Sequence, residues 1–345
     1  MPLASSRLSR RLFCCAFAAL TSLPAAAEEF KPDPVDLAAA KREGKVVWYT
    51  STPVQAAQKI AKLFEAETGI RVELFRSGGS AILRRFTQEI SAGRVAVDVM
   101  TTSDPAGSAS LAKQGKFVAF KPRNFEKVPA EAKHPEGYYI AQRLNMLGIF
   151  AREDKVAEAD RPKAWSDLLD LKYKGKMVMP DPSFTALQLM VVGTLSKKYG
   201  WSFYEKLRAN DTMIVQGHQQ VSDMLKRGER VIAAEGLDSY AYDDRKAGHK
   251  IATIYPSDGT FAVPAPTAVI KGGPNANAAK ALAEFMIGDK VQKMFPEDGH
   301  YAARIDMPPP AGNPELAKLT LMPVDYDAIE RESRALKDRF NEIFQ

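Results

Sequence analysis

Hydrophobic positions along this chain switch between two periods. The run "KVVWYT" (45–50), rich in β-branched and aromatic residues, predicts a buried strand after a short helix over 37–41. Beyond Ser51-Thr52-Pro53, apolar Ala57, Ile60, Ala61 and Phe64 share one face of a predicted helix. A strand over 70–75, a helix over 80–91, the buried strand "VAVDVMT" (95–101) and a helix ending near Gln114 follow. Alternating strands and helices predict a parallel sheet covered on both faces.

Two stretches break the rhythm. "YYIAQRLNMLGIFA" (138–151) is too long for one short strand, and "TFAVPAPTAVI" (260–270) is extended again. Between them the pattern predicts a helix over 165–170, strand "KMVMP" (176–180) and a helix from Pro182. Helices over 201–208 and 219–227 and strand "RVIAAE" (230–235) complete that series. A helix over 276–287 and a last helix with Ile329, Leu336, Phe340 and Ile343 on one face close the chain. The expected architecture is an α/β fold of two lobes, joined by two crossover segments, with a cleft between them. Lobe 1 is expected over 28–142 with 264–312 returning to it. Lobe 2 is expected over 143–263, with the C-terminal helix (313–345) packed on it.

The N-terminus changes the picture of where the protein works. Arg7, Arg10 and Arg11 precede an apolar run from Leu12 to about Leu23, and Pro24-Ala25-Ala26-Ala27 follows. This reads as an export signal (1–27) cleaved near Ala27, with "SRRLF" (9–13) open to either ordinary or twin-arginine export. The apolar run is too short to span a bilayer, and no later stretch approaches ~20 apolar residues. A soluble periplasmic protein without a membrane span is expected. Cys14 and Cys15 are the only cysteines. The mature chain is thus expected to lack disulfides, thiolate metal sites and a cysteine nucleophile. Removing the three signal arginines leaves 45 basic residues against 42 acids, a net charge of +3. With basic runs such as "KYKGK" short and separated, nucleic-acid binding is not supported.

Candidate chemistry concentrates at helix starts. Three strands end in Thr52-Pro53, Asp104-Pro105 and Asp181-Pro182, and a fourth ends in Ser77-Gly78-Gly79-Ser80. Each sends a helix N-terminus from the carboxyl edge of a strand, where open α/β sheets bind ligands. Such an end carries about half a positive charge and free N–H donors. Asp104 and Asp181 read first as plain caps. Gly78-Gly79 reads as a ligand loop, because paired glycines cost chain entropy unless backbone passes close to something. The spacing fits neither a dinucleotide fingerprint nor a P-loop, so a small anion or a polar, oxygen-rich ligand is expected there. No G-x-S-x-G or H-E-x-x-H motif occurs, and no nucleophile–base pair supports a phosphoester hydrolase, so an enzyme is not expected. His218 reads first as a solvated loop histidine and otherwise as a cleft residue. Arg143 faces the cleft from the first crossover or stands as an ordinary surface arginine. Tyr240 and Tyr242, with Glu235 and Asp238 nearby, either offer oxygens to a hard cation or are surface aromatics.

These segments resemble periplasmic solute-binding proteins of bacterial ABC importers. The resemblance is to the ferric-iron-binding-like group, which includes phosphonate, phosphosugar and polyamine binders. It rests on "GKVVWYTS" (44–51), "FEAETGIRVELFRSGGSAILRRFTQE" (64–89), "DVMTTSDPAGSASLAKQGKFVAF" (98–120), "WSDLLDLKYKGKMVMPDPSFT" (165–185) and "LKRGERVIAAE" (225–235). It covers essentially the whole mature chain, and the Trp165-to-"KYKGK" segment is the most specific part. The resemblance implies lobes that close over one small-molecule ligand and then meet a membrane permease. A monomer without a cofactor is expected. Its cleft positions would be Thr50, Ser51, Ser77, Gly78, Gly79 and Ser80 from lobe 1, and Ser183, Phe184, Thr185 and Tyr240 from lobe 2, with Arg143 from the crossover. Ferric members use an adjacent tyrosine pair and often a histidine after the first strand. Here Ala241 separates Tyr240 from Tyr242, and Thr52-Pro53 follows Ser51. A phosphonate, phosphate ester, carboxylate or metal–anion complex is therefore expected, with Fe3+ on Tyr240 and Glu235 as the alternative.

Overall fold

The computed structural model describes residues 30–345, so the predicted export signal lies outside the described residues. Helix α1 (Leu37–Glu43) leads into β1 (Lys45–Thr50), α2 (Val54–Thr68), β2 (Arg71–Arg76), α3 (Gly79–Ser91), β3 (Val99–Thr101), α4 (Pro105–Lys113) and β4 (Phe117–Val118). The long β5 (Ile140–Arg152) crosses to β6 (Met177–Pro180), α5 (Ala186–Tyr199), α6 (Ser202–Ala209), β7 (Met213–Val215), α7 (His218–Arg227), β8 (Ile232–Leu237), α8 (Asp238–Lys246) and β9 (Ile251–Ile254). Strand β10 (Phe261–Ile270) returns, followed by α9 (Ala276–Ile287), α10 (Asp289–Glu297), β11 (Tyr301–Ala302) and α11 (Tyr326–Phe344).

The main path of the sheet runs β2-β1-β3-β10-β5-β8-β6-β7. Its ends are parallel: β1 pairs with β2 and β3, and β6 pairs with β7 and β8. Its middle is antiparallel, with β10 between β3 and β5, and β5 joined to β8 from Leu147 onward. The two long extended segments are therefore the strands that bridge the halves. Nearly every residue of β5 and β10 is buried, which is why they read as continuous apolar runs rather than as alternation. One core gathers Trp48, Phe64, Leu282 and Phe295 on the β1 side. The other gathers Trp165, Tyr204, Phe261 and Phe340 on the β6 side.

Local side chains moved several boundaries. The strand expected over 95–101 is only Val99–Thr101, because the Asp98 carboxylate takes the Val47 N–H (2.8 Å) and the Asn275 N–H (2.7 Å). The helix expected over 165–170 is a single 3₁₀ segment, Trp165–Leu169, and the Asp167 carboxylate holds its entry through the Lys163 and Ala164 N–H groups. The helix expected from Pro182 begins at Ala186. Asp181 instead closes a turn, its carboxylate accepting from Ser183 N–H (2.6 Å) and its carbonyl from Phe184 and Thr185 N–H. Helix α11 packs on α5 and α6 and also reaches α4, its Ile329 and Leu336 sharing a small core with Ala106 of α4 and with Leu189 and Met190 of α5.

Candidate functional site: a closed cationic cleft

The parallel strands β1, β2, β6 and β7 release α2, α3, α5 and α7 from one sheet edge. None of these helices has a side-chain cap; their N-cap residues are Pro53, Gly78, Thr185 and Gly217. All four residues line one cavity of about 110 Å³. Uncapped N–H groups and the positive ends of four helix dipoles thus converge on a single small space. Helix α4 is different: the Asp104 carboxylate accepts from Gly107 N–H (2.9 Å) and closes that start. Asp104 is accordingly a plain cap, while Thr52 is not a cap at all. Its buried hydroxyl accepts from Thr50 Oγ1 (2.8 Å), Gln142 Nε2 (2.8 Å) and Arg143 Nη1 (2.9 Å).

The closest neighbour of Gly78 across the cleft is Phe184. A Cβ on Gly78 would sit 2.5 Å from the Phe184 carbonyl oxygen, and one on Gly217 would sit 3.2 Å from the Phe184 ring. A Cβ on Gly79 would lie 3.4 Å from Ala186. Arg84 Nη1 also donates to the Ser183 carbonyl at 3.2 Å. Residues Pro32–Gln345 form one compact unit, with the two halves in contact around the cavity.

Arg143 decides the character of this space. Its side chain is 1% exposed, yet only Nη1 has a partner; Nε and Nη2 have none among the described residues. Burial pulls the guanidinium well below the usual arginine value, Tyr240 opposing that fall and Arg76 adding to it. It still carries its charge at neutral pH. Neighbouring His300 is held neutral, pushed down to about 3 by burial and by Arg143, and adds no second positive charge. Arg76, at the end of β2, donates from Nε to the Thr52 carbonyl (3.2 Å) and faces Tyr240. Burial raises the Tyr240 hydroxyl, and both arginines oppose the rise. His218, the first residue of α7, is buried rather than solvated, its Nε2 lying 2.9 and 3.1 Å from the Glu235 oxygens.

Seven of the eleven predicted ligand residues line the cavity: Ser51, Gly78, Gly79, Arg143, Phe184, Thr185 and Tyr240. Thr50 is fully buried beside Thr52. Ser77, Ser80 and Ser183 stand next to the lining without forming it. Glu235, the second residue of the iron alternative, sits behind His218. Among the described residues no group of three or more His, Cys, Asp or Glu side chains could hold a metal ion. Sequence reasoning missed Arg76 and undervalued His218. Both had a signal: Arg76 ends a strand at the ligand edge, and Gly217-His218 repeats the glycine-at-helix-start pattern of Gly78-Gly79.

Residues 97–332 match the family of bacterial extracellular solute-binding proteins. The chain belongs to this family. A probable ABC transporter periplasmic-binding protein of Sinorhizobium fredii is 24% identical over 280 residues, covering 76% of each chain. A Salmonella typhimurium periplasmic protein, provisionally named for 2-aminoethylphosphonate binding, is 25% identical over 266 residues, covering 70% of this chain and 75% of its own. The fold is also that of AfuA from Actinobacillus pleuropneumoniae, solved with fructose-6-phosphate: TM-score 0.78, 19% identity, 87% of this chain and 98% of AfuA covered. Iron-bound HitA from Pseudomonas aeruginosa gives 0.75 and 20%, covering 87% and 99%. This solute-binding protein therefore has the two-lobe periplasmic binding-protein fold, periplasmic and of ABC-transporter type. No helix among the described residues is long and apolar enough to cross a membrane.

Proposed function

We propose that this solute-binding protein captures a small anionic solute, a phosphonate, phosphate ester or carboxylate, and presents it to a membrane permease. The observation that carries the reading is Arg143, a buried guanidinium with two nitrogens unpartnered and no carboxylate beside it among the described residues. A buried unpaired charge is costly, and an anion in the cavity would neutralise Arg143 and Arg76 together. The four uncapped helix starts come from both halves, so one anion would tie the halves to each other. Without it, the like charges favour an open cleft; with it, closure is favoured. In this reading the chain is exported, cleaved near Ala27, monomeric and non-catalytic.

The iron alternative has less support. Fe3+ on Tyr240 would stand among Arg76 and Arg143, where a trivalent cation is repelled, and Glu235 is engaged with His218.

A thermal-shift screen in phosphate- and sulfate-free buffer tests both readings. An oxyanion at about 100 times its dissociation constant stabilises by roughly 2.7 kcal/mol, visible as a shift of a few degrees. Stabilisation by phosphonates, phosphate or small carboxylates is expected. Stabilisation by ferric salt alone, with a visible charge-transfer band lost in Tyr240→Phe, would overturn the anion reading.

A further inference from the structure

The cavity has a size and a sign that together narrow the solute. A cavity of about 150 Å³ accommodates benzene, so 110 Å³ suits a body of about four to six non-hydrogen atoms. That space has no slack in the closed form. Phe184 lies so near Gly78 and Gly217 that a Cβ added there would meet it at 2.5 and 3.2 Å, so neither position has room for a side chain. A sugar phosphate, several times larger, fits only by separating the halves.

The wall is one-signed. Among the described residues, Arg76, Arg143 and His218 are the titratable side chains of the lining besides the Tyr240 hydroxyl, and no aspartate or glutamate lines it. The carboxylate behind the wall, Glu235, turns both oxygens to His218 Nε2 and is shielded by that ring. Asp238, next to Tyr240 in sequence, is directed elsewhere: its carboxylate accepts from Tyr255 Oη (2.7 Å) and Asn313 Nδ2 (2.7 Å). The remaining polar groups of the wall, among them Ser51, Asn145 and Gln216, are neutral. An ammonium group on the solute would meet two guanidinium groups and four positive helix ends, with no counter-charge.

Resting on the anion reading above, we infer that the solute is a compact oxyanion that carries no ammonium group and no sugar-sized body. This separates the chain from what the name of its Salmonella relative and the fructose-6-phosphate bound to AfuA suggest for those proteins.

Calorimetry on the full mature chain in phosphate-free buffer would compare five probes: inorganic phosphate, n-propylphosphonate, 2-aminoethylphosphonate, malonate and fructose-6-phosphate. Propyl- and aminoethylphosphonate have nearly the same shape and differ by methyl against ammonium. The expected result is binding of phosphate, propylphosphonate or malonate, at least tenfold weaker binding of aminoethylphosphonate than of propylphosphonate, and none of fructose-6-phosphate. Equal or tighter binding of aminoethylphosphonate would overturn the sign inference and leave the anion reading standing. Binding of fructose-6-phosphate as tight as that of phosphate would overturn the size inference in the same way. If no probe binds, the anion reading itself fails.

Discussion

At the residue scale, the site is organised around a charge that the fold does not compensate. Arg143 spends its one hydrogen bond on Thr52 Oγ1, which keeps two other partners, Thr50 and Gln142. Replacing Arg143 with methionine would therefore remove a desolvated cation and leave no new unpaired group. Buried charges exchanged for apolar side chains of similar volume often stabilise. The ligand-free Arg143→Met protein is expected to melt higher than the parent by on the order of 2 °C, while its anion-dependent shift disappears. Opposite signs in the two readouts are the signature of a functional charge; a structural arginine would lose stability in both. The sequence offered Arg143 as one of two equal readings, surface or cleft. Only the sheet decides it: β11 pairs Ala302 with Arg143 on one side of β5, and β10 runs along the other through Ala141 and Leu144, which leaves position 143 buried.

At the scale of elements, helix starts divide into closed and open ones. Asp104 closes α4 and is fully enclosed, so burial pushes its carboxyl up to about 6, against the Gly107 hydrogen bond, which lowers it; Glu330 adds a little to the rise and Lys337 opposes it. The sign follows from linkage. Between about 4 and 6 the folded state binds the proton more tightly than the unfolded state, so this group's contribution falls as pH rises through that window. Above it the buried charge is a full penalty. Asn is as good an N-cap as Asp, so Asp104→Asn should raise stability at pH 7.5 by on the order of 2 kcal/mol. The difference should shrink towards zero near pH 4, read from paired denaturant titrations. A constant difference across pH would refute the buried-charge account. The elements themselves were legible wherever a period was sustained: β1 and α9 sit where the pattern put them. Failures came where a carboxylate competes with the ladder or the helix, at Asp98, Asp167 and Asp181. Periodicity does not register such bonds. The open starts at Gly78 and Thr185 were legible as sites; the one at Gly217 carried the same glycine pattern but was undervalued, since β7 is a three-residue strand too short to announce itself.

At the scale of the molecule, two features resist separation of the halves. Helix α11 shares the larger core through Phe340 and also touches Ala106 of α4 through Ile329 and Leu336. In the proposed opening that smaller contact is the one to break, with α11 staying on α5 and α6. At the cleft itself the closure contact is Gly78 against Phe184. Gly78 has φ −66°, a value any residue accepts, so its glycine is not required by backbone geometry. It is required by what comes near: a Cβ there meets the Phe184 carbonyl oxygen at 2.5 Å, well inside van der Waals contact. Gly78→Ala should therefore fold normally, with a ligand-free melting temperature within about 1 °C of the parent. The closed form should be disfavoured, because the Phe184 backbone cannot give way as a flexible side-chain end could. A closure penalty of about 1.4 kcal/mol or more weakens solute binding at least tenfold, since affinity scales with the population of the competent state. Small-angle scattering would then show compaction on adding phosphate for the parent and none, or less at equal concentration, for the variant. Undiminished affinity with full compaction would mean that the contact at Gly78 is incidental to closure. The solute would then be held by Arg143 and the helix starts without the halves meeting at that point.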